Sequence, residues 1–555
     1  MSRRIRVSQG HFSQVPNVTI GRSKFNRSHV LKTTFDEGKL IPIFVDEVLP
    51  GDSFKLKVTT FTRMATPIFP VMDNLYLETF FFFVPMRLVW DNFQKFMGEQ
   101  ENPGDSTDFL IPTFNLESSP VHVGQIADYM GIPIGVKNLS FNILPFRAYW
   151  LIWNEWFRDE NLQNSAPLYK GDSGYVWFQV TSDPVVNGFH WYGCAPRGKR
   201  YDYFTSCLPW PQKGPGVELP LGATASITGV SALGSASQHI GAMSFAFNSS
   251  EGNTLGSDAP YTYTRWPASR LNSDGSPSVS DFTANQIPRM PSDSAPWLAN
   301  LSNATAVTIN SLRQAFQLQR YYEKDARGGT RYIEKIKSHF GVTSPDARLQ
   351  RPEYLGGHSD RININPVVQT SSTDSTSPQG NLSAFGVSGA RYHGFSKSFV
   401  EHGYIIGLAN VRADLTYQQG LNRMWSRKTV LDFYWPSFAH LGEQAVLNKE
   451  IYAQGNSKDD EVFGYQERYG EYRYKPSFIT GKFRSTYSQP LDAWHFSQKF
   501  ENLPTLSNQF IQDNPPISRC LAVPTEPHFL MDAFFDLKCV RPMPMFGTPG
   551  LIDHF

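Results

Sequence analysis

The stretch of sequence that decides the fold lies near the end of the chain and reads Met531-Asp532-Ala533-Phe534-Phe535-Asp536-Leu537-Lys538-Cys539. Apolar residues stand at every odd position of this stretch, and three of the four even positions carry a charge. This period of two predicts a β-strand with one buried face and one solvated face. A stretch near the start of the chain alternates in the same way and reads Phe54-Lys55-Leu56-Lys57-Val58-Thr59. Strands therefore come from both ends of the chain.

Four further segments have the apolar, β-branched and aromatic content that predicts strands, namely residues 40–48, 75–84, 399–411 and 429–435. The segment at 75–84 ends in four consecutive phenylalanines and is apolar on both faces. An uninterrupted apolar run of this kind predicts a strand that is covered on both sides.

Three segments have helical spacing instead. Residues 146–157 carry a row of large aromatic side chains that we interpret as core, and Pro145 fits the first turn of this helix. A second helix is predicted after Asn310 as N-cap. A third is predicted from a cap at Thr330 to a stop at Gly341.

The composition also favours strands and loops. The chain has 42 Phe and 24 Tyr, which suit half-buried pleated surfaces, while 39 Pro and 42 Gly interrupt regular structure often. Residues 214–300 are dominated by small and polar residues and predict a long excursion, and residues 366–390 predict a flexible surface loop. We therefore predict an all-β fold with some helices, built as a β-sandwich with long loop insertions.

The charge balance and the cysteines exclude several classes of protein. A net charge of +1 argues against a dedicated nucleic-acid binder, although it leaves room for one basic face or arm. The four cysteines have no disulfide-scaffold or zinc spacing, so we expect reduced thiols: Cys194, Cys207, Cys520 and Cys539. The longest apolar run is too short to cross a bilayer and no signal-peptide core is evident, so we expect neither membrane insertion nor export.

No catalytic signature with usable spacing is present, so we expect no enzymatic activity, no cofactor and no metal site. Asn272-Ser273-Asp274-Gly275 resembles a calcium loop only weakly, because Arg270 stands at the first ligand position. The scattered histidines His393, His402 and His440 are more easily explained as isolated side chains than as a cluster.

Several longer segments together resemble the major capsid protein of the Microviridae, specifically of gokushoviruses. They are residues 35–42, 48–52, 78–85, 325–332, 339–342 and 351–357, where the last reads Arg351-Pro352-Glu353-Tyr354-Leu355-Gly356-Gly357. The resemblance implies an eight-stranded viral jelly roll and an icosahedral (T=1) shell around circular single-stranded DNA. It also implies a threefold protrusion that contacts the host receptor. The partners it implies are further copies of the chain, an internal scaffolding protein, a DNA pilot protein and a small basic DNA-packing protein.

With this resemblance the chain divides into four parts. We predict a basic N-terminal arm at 1–35, a first shell part at 36–213, the candidate protrusion at 214–300 and a second shell part at 301–555. The arm has no acid before Asp36, and its cations are Arg3, Arg4, Arg6, Arg22, Lys24, Arg27 and Lys32. These cations could track DNA phosphates, or the arm could instead contact neighbouring subunits.

Two other groups of cations with aromatic residues leave the same choice open. One spans residues 468–484 and is more easily interpreted as a polar network within or between subunits, because it contains Glu471 and directly follows Glu467. The other consists of Arg197, Lys199 and Arg200 beside Tyr201 and Tyr203. A phage adhesin or a carbohydrate-binding β-sandwich remains an alternative to a coat protein assembled in the host cytoplasm and located in the virion.

Overall fold

The computed structural model describes residues 21–116, 120–173, 193–217, 309–371, 373–375 and 378–546. The chain divides into two units, of which the first comprises Met1–Gly216 with Gln319–Phe555 and the second Val217–Leu318. Most of the predicted protrusion at 214–300 therefore lies outside the described residues, as do Arg3, Arg4 and Arg6.

The strands, in chain order, are β1 (Ser23–Asn26), β2 (His29–Phe35), β3 (Ile41–Val48), β4 (Ser53–Met64), β5 (Leu75–Pro85), β6 (Thr113–Asn115), β7 (Ser140–Asn142), β8 (Glu353–Val368), β9 (Leu382–Ser398), β10 (Gly403–Ala413), β11 (Glu443–Leu447), β12 (Val462–Glu467) and β13 (Phe529–Arg541). The helices are α1 (Phe93–Phe96), α2 (Ile126–Tyr129), α3 (Leu144–Ile152), α4 (Ile309–Arg327), α5 (Tyr332–Phe340), α6 (Asn448–Ile451), α7 (Gly470–Arg473) and α8 (Asn508–Ile511).

Nine strands form one curled antiparallel sheet in the order β1-β13-β4-β9-β8-β5-β10-β3, with β2 also paired to β13. Strand β8 makes the bend, because its residues up to Ile362 pair with β5 and those from Asn363 pair with β9. The sheet therefore consists of two four-stranded runs, β2-β13-β4-β9 and β8-β5-β10-β3, and β1 is the ninth strand, paired to β13 as β2 is. This is the strand order expected of the predicted jelly roll, and the prediction of a mainly β fold is confirmed.

The two runs face each other across an aromatic core. Phe44 of β3 lies 5.3 Å from Phe535 of β13, and Phe81 of β5 lies 5.8 Å from Phe395 of β9, between ring centroids. The side of β4 that carries Phe54 points into this core, as its alternation predicts. Burying each such side chain contributes about 1.5–3 kcal/mol, so the core carries most of the stability.

The outer side of β5 is covered as well. Phe82 contacts Trp156 at 5.4 Å and Phe157 at 5.8 Å, both on the π-helical turn that continues α3. Strand β5 is therefore covered on both sides, and the aromatic row of α3 is core, with Tyr149 and Trp153 buried. Both predictions for these segments are confirmed.

One other segment prediction is wrong, and another is right only for the middle of its segment. Residues 429–435 form a 3₁₀ turn, because the Asp432 carboxylate accepts the backbone N–H groups of Lys428 at 2.8 Å and Thr429 at 2.7 Å. These local bonds compete with a strand ladder. The loop predicted over residues 366–390 is shorter in the structure, because β8 continues to Val368 and β9 begins at Leu382.

The helix ends differ slightly from the prediction. Asn310 already lies inside α4. The N-cap of α5 is Arg331, whose backbone N–H donates to Glu334 at 3.0 Å, while the Thr330 hydroxyl donates to Asn161 at 2.9 Å. Gly341 ends this helix with a φ of 72°, as predicted.

The N-terminal arm is shorter than predicted, because residues from Ser23 to Phe35 form β1 and β2 of the sheet. All four cysteines are buried and free, in agreement with reduced thiols. Within the described ranges, no helix is long and apolar enough to cross a lipid bilayer.

Candidate nucleic-acid interface and assembly surface

A basic surface covers the outward side of the β2-β13-β4-β9 run and the adjoining β1. Because side chains alternate along a strand, the residues of β4 that are not in the core all point outward, and they include Lys55, Lys57 and Arg63. The register places Arg391 of β9 opposite Thr59 on the same side. We call this the basic sheet face, and its cations are Lys24, Lys32, Lys55, Lys57, Arg63, Arg391 and Lys538.

Four of the cations predicted from the sequence are described, and they divide into two kinds. Lys24 and Lys32 lie on the basic sheet face, where Lys32 pairs with Asp532 at 2.6 Å. Arg27 is half-buried and binds Asp46 through two hydrogen bonds of 2.6 and 2.9 Å. Arg22 donates to the hydroxyl of Ser53 and to the carbonyl of Gly51.

Aromatic rings lie among the cations of the basic sheet face. Phe61 of β4 is 55% exposed and Phe534 of β13 is 42% exposed, although their neighbours in sequence point into the core. Lys55, Lys57 and Arg63 engage no carboxylate within the part of the chain described, whereas Asp532 and Asp536 are paired with Lys32 and Lys538. Free cations beside exposed rings can bind phosphates while bases stack on the rings.

The sequence contained a signal for part of this surface. Lys55 and Lys57 form the polar half of the alternation that predicts β4, but that alternation alone assigns them only to a solvated face. The sequence did not indicate that Arg63 and Arg391 belong to this surface, because only the register of β4 with β9 places them on the same side of the sheet. The three histidines that could have converged do not form a metal-binding group within the described residues.

A second surface is apolar. The loops over residues 421–441, which we call the apolar loop surface, expose Trp425 to 70% and Val430 to 68%, together with Leu431, Phe433, Tyr434, Trp435 and Leu441. A group of exposed apolar side chains within one short segment is typical of interaction surfaces on soluble proteins.

The apolar loop surface is held in place from below. The Arg427 guanidinium lies 4.3 Å from the centre of the Tyr472 ring and donates to Glu471 at 3.3 Å. The indole N–H of Trp435 donates to the Val430 carbonyl at 2.9 Å. The cluster around residues 468–484 thus contributes Glu471 and Tyr472 to an intramolecular polar network, one of the two interpretations predicted for it.

The third group of cations lies at the end of the β10-β5 pair. Arg412 of β10 donates to both carboxylate oxygens of Glu78 of β5 at 3.0 and 2.8 Å. Arg200 donates to Glu78 at 3.1 Å and to Asp414 at 3.2 Å. Burial acts to raise the pKa of Glu78, but the hydrogen bond and charge of Arg412 outweigh it and hold that pKa below its ordinary value.

Comparison with known proteins shows the family of the chain. The family described as "Capsid protein (F protein)" matches residues 13–551. The chain is 48% identical to the capsid protein VP1 of Bdellovibrio phage phiMH2K over 99% of both chains. It is 45% identical to the capsid protein VP1 of Chlamydia phage 1 over 98% of both. It is also 37% identical to that of Spiroplasma virus 4 over 97% of both.

Proposed function

Because the chain belongs to the capsid protein (F protein) family, we propose that it is the major subunit of an icosahedral T=1 shell enclosing a circular single-stranded DNA genome. The subunit assembles in the cytoplasm of the host bacterium and ends in the virion. Its function is to bind neighbouring subunits and the genome, and no catalytic step is assigned to it.

The observation that carries the proposal is the apolar loop surface. A shell subunit must bury roughly 800 Å² against each strong neighbour, and apolar side chains supply most of that free energy. Within this surface the Trp435 indole donates to the Val430 carbonyl, and Arg427 donates to Glu471, so these groups are already held in place. They therefore lose little conformational entropy on contact. A second copy of the chain is the partner in this proposal.

The basic sheet face is assigned to the genome. Its cations neutralise phosphates on the inner side of the shell, and Phe61 and Phe534 offer rings to unpaired bases. The residues before Ser23, with Arg3, Arg4 and Arg6, extend the same positive charge. A separate small basic packing protein supplies the remaining counter-charge, which explains a net charge of only +1 in this chain.

Residues 214–300 are assigned to a surface protrusion that binds the host receptor. Their low charge and small residues set them apart from the shell parts on either side. Deleting this segment should leave shell assembly intact and abolish adsorption to host cells. Loss of both would assign the segment a structural role in the shell instead.

The proposal is tested by expressing the chain with the scaffolding, pilot and packing proteins of its phage and imaging the products by electron microscopy. Uniform small icosahedral particles that contain nuclease-protected single-stranded DNA are expected. Discrete trimers without shells would favour the adhesin. Monomers that bind or cleave bacterial surface glycans would favour the carbohydrate-binding alternative.

A further inference from the structure

A cavity of about 300 Å³ lies beside the buried Arg412–Glu78 pair. Four cations line it, Arg197, Lys199, Arg200 and Arg412, together with the rings of Phe157 and Tyr201. The volume is at the lower end of the range for small-molecule sites, so it has room for a compact polar group.

Arg197 is the cation of this cavity that lacks a partner. Its guanidinium lies 4.7 Å from the centre of the Phe157 ring and 5.5 Å from that of Phe80. No acceptor for its N–H donors is present among the residues that the structure describes, and its Nε is fully buried. A buried donor without an acceptor is costly, so the Nε of Arg197 marks a place where an acceptor is expected to bind.

The other three cations are held in position by neighbours of their own. Lys199 donates to the side chain of Gln498 at 2.8 Å, Arg200 to Asp414 and Glu78, and Arg412 to Glu78 and to the carbonyl of Gly198. The cavity is therefore lined by fixed positive groups.

The nearby carboxylates compensate the charge of Arg197 only in part. Glu78 is shared between two other arginines, and Asp159 accepts the backbone N–H groups of Asn161 at 2.9 Å and Leu162 at 3.1 Å. Burial raises the pKa of Asp513 to about 7, so this carboxyl is only partly charged at neutral pH. Burial and the charge of Arg412 lower the pKa of Arg197 to about 9, as expected for a cation with little compensation.

We propose that this cavity binds a phosphate group, with Arg197 as the residue that donates to it and Lys199, Arg200 and Arg412 as the surrounding positive field. A guanidinium can donate two parallel hydrogen bonds to phosphate oxygens. The phosphate comes either from a nucleotide of a DNA strand or from free inorganic phosphate. This site is distinct from the basic sheet face, because it lies at the end of the other four-stranded run.

The proposal is tested by isothermal titration of the purified full chain with inorganic phosphate, with deoxythymidine 5′-monophosphate and with sodium chloride as reference. Binding of a phosphate compound with saturation at one site per chain is expected, and Arg197→Met should weaken it about tenfold or more. Lys137→Met is the matched control, since it removes one exposed positive charge outside both the cavity and the basic sheet face and should leave this binding unchanged.

The two phosphate compounds distinguish the sources. Tighter binding of the nucleotide assigns the site to DNA, and equal or tighter binding of inorganic phosphate assigns it to the free ion. Binding that is equal in wild type and Arg197→Met, or absent from wild type, overturns the proposal. If Arg197→Met does not fold, the phosphorus NMR signal of inorganic phosphate is compared in the presence of wild type and in the presence of Arg197→Lys. Saturable broadening of the phosphate signal by wild type supports the site, and its absence overturns it.

Discussion

Glu78 is the residue on which the polar end of the β10-β5 pair depends. It is buried, and it accepts three hydrogen bonds from Arg412 and Arg200. Glu78→Gln leaves Arg412 without its counter-charge and leaves Arg200 with Asp414 alone. Removal of one partner of a buried pair costs about 3–5 kcal/mol of unfolding free energy. The urea midpoint of purified subunits measures this loss.

The same residue gives an acid-dependent stability. The folded pKa of Glu78 lies below its ordinary value. Its contribution is therefore complete above the unfolded pKa and is lost as the pH falls through the folded pKa. The difference in urea midpoint between wild type and Glu78→Gln should shrink on acidification from pH 7. Glu401→Gln, which breaks the more exposed pair with Arg87, should cost no more than about 1 kcal/mol at any pH. An equal cost for the two variants would contradict the role given to Glu78.

His528 gives the opposite pH dependence. Its Nδ1 lies 2.6 Å from a carboxylate oxygen of Glu37, and this hydrogen bond raises the pKa of the imidazole. A raised histidine pKa stabilises the fold most at acidic pH, and the contribution is lost as the pH rises through the folded pKa. His528→Gln should therefore cost about 1 kcal/mol near pH 5.5 and much less near pH 9. A cost that does not vary with pH would exclude the charged pair as its cause.

At the scale of elements, β4 shows how one strand serves both the core and a surface. Its inward residues include Phe54, Leu56 and Val58, and its outward residues include Lys55, Lys57 and Arg63. The outward set can be changed without touching the core, because the two sets point to opposite sides of the sheet.

The triple variant Lys55→Gln/Lys57→Gln/Arg63→Gln tests the assignment of this face to DNA. Each phosphate contact on a single strand contributes about −0.7 to the slope of log K against log salt, so loss of three contacts should reduce the magnitude of that slope by about 2. Fluorescence anisotropy of a labelled oligothymidine at several salt concentrations measures the slope. Replacing the exposed Lys137, Lys458 and Lys482 by Gln is the matched control and should leave the slope unchanged. An equal effect of both triple variants would show that only total charge matters.

At the scale of the whole molecule, the prediction concerns assembly. The double variant Val430→Ser/Leu431→Ser removes exposed apolar groups from the apolar loop surface and should raise the subunit concentration needed for assembly about tenfold or more. Light scattering with electron microscopy measures that concentration, and circular dichroism should show an unchanged fold. Val400→Ser is the control, since Val400 is 87% exposed and lies outside this surface. Normal assembly of the double variant would remove the apolar loop surface from the proposed contacts.

Local patterns determined much of this protein. Alternation predicted β4 and β13, the run of phenylalanines predicted a strand covered on both sides, and Gly341 marked the end of α5. These features depend on a few neighbouring residues, whose spacing already reflects which side of a strand or helix is buried. The longer matched segments likewise indicated the capsid family, which the comparisons then showed.

The tertiary structure determined which strands and side chains are neighbours in space. The bend in β8, the pairing of β4 with β9 and β13, and the convergence of Arg197 with Arg412 join residues far apart in the chain. Residues 429–435 have the composition of a strand, but hydrogen bonds to the Asp432 carboxylate stabilise a 3₁₀ turn there. Composition does not reveal these hydrogen bonds. A strand's period gives its two faces but not its partners, because register depends on long-range packing. The basic sheet face and the cavity were therefore settled only by the folded chain.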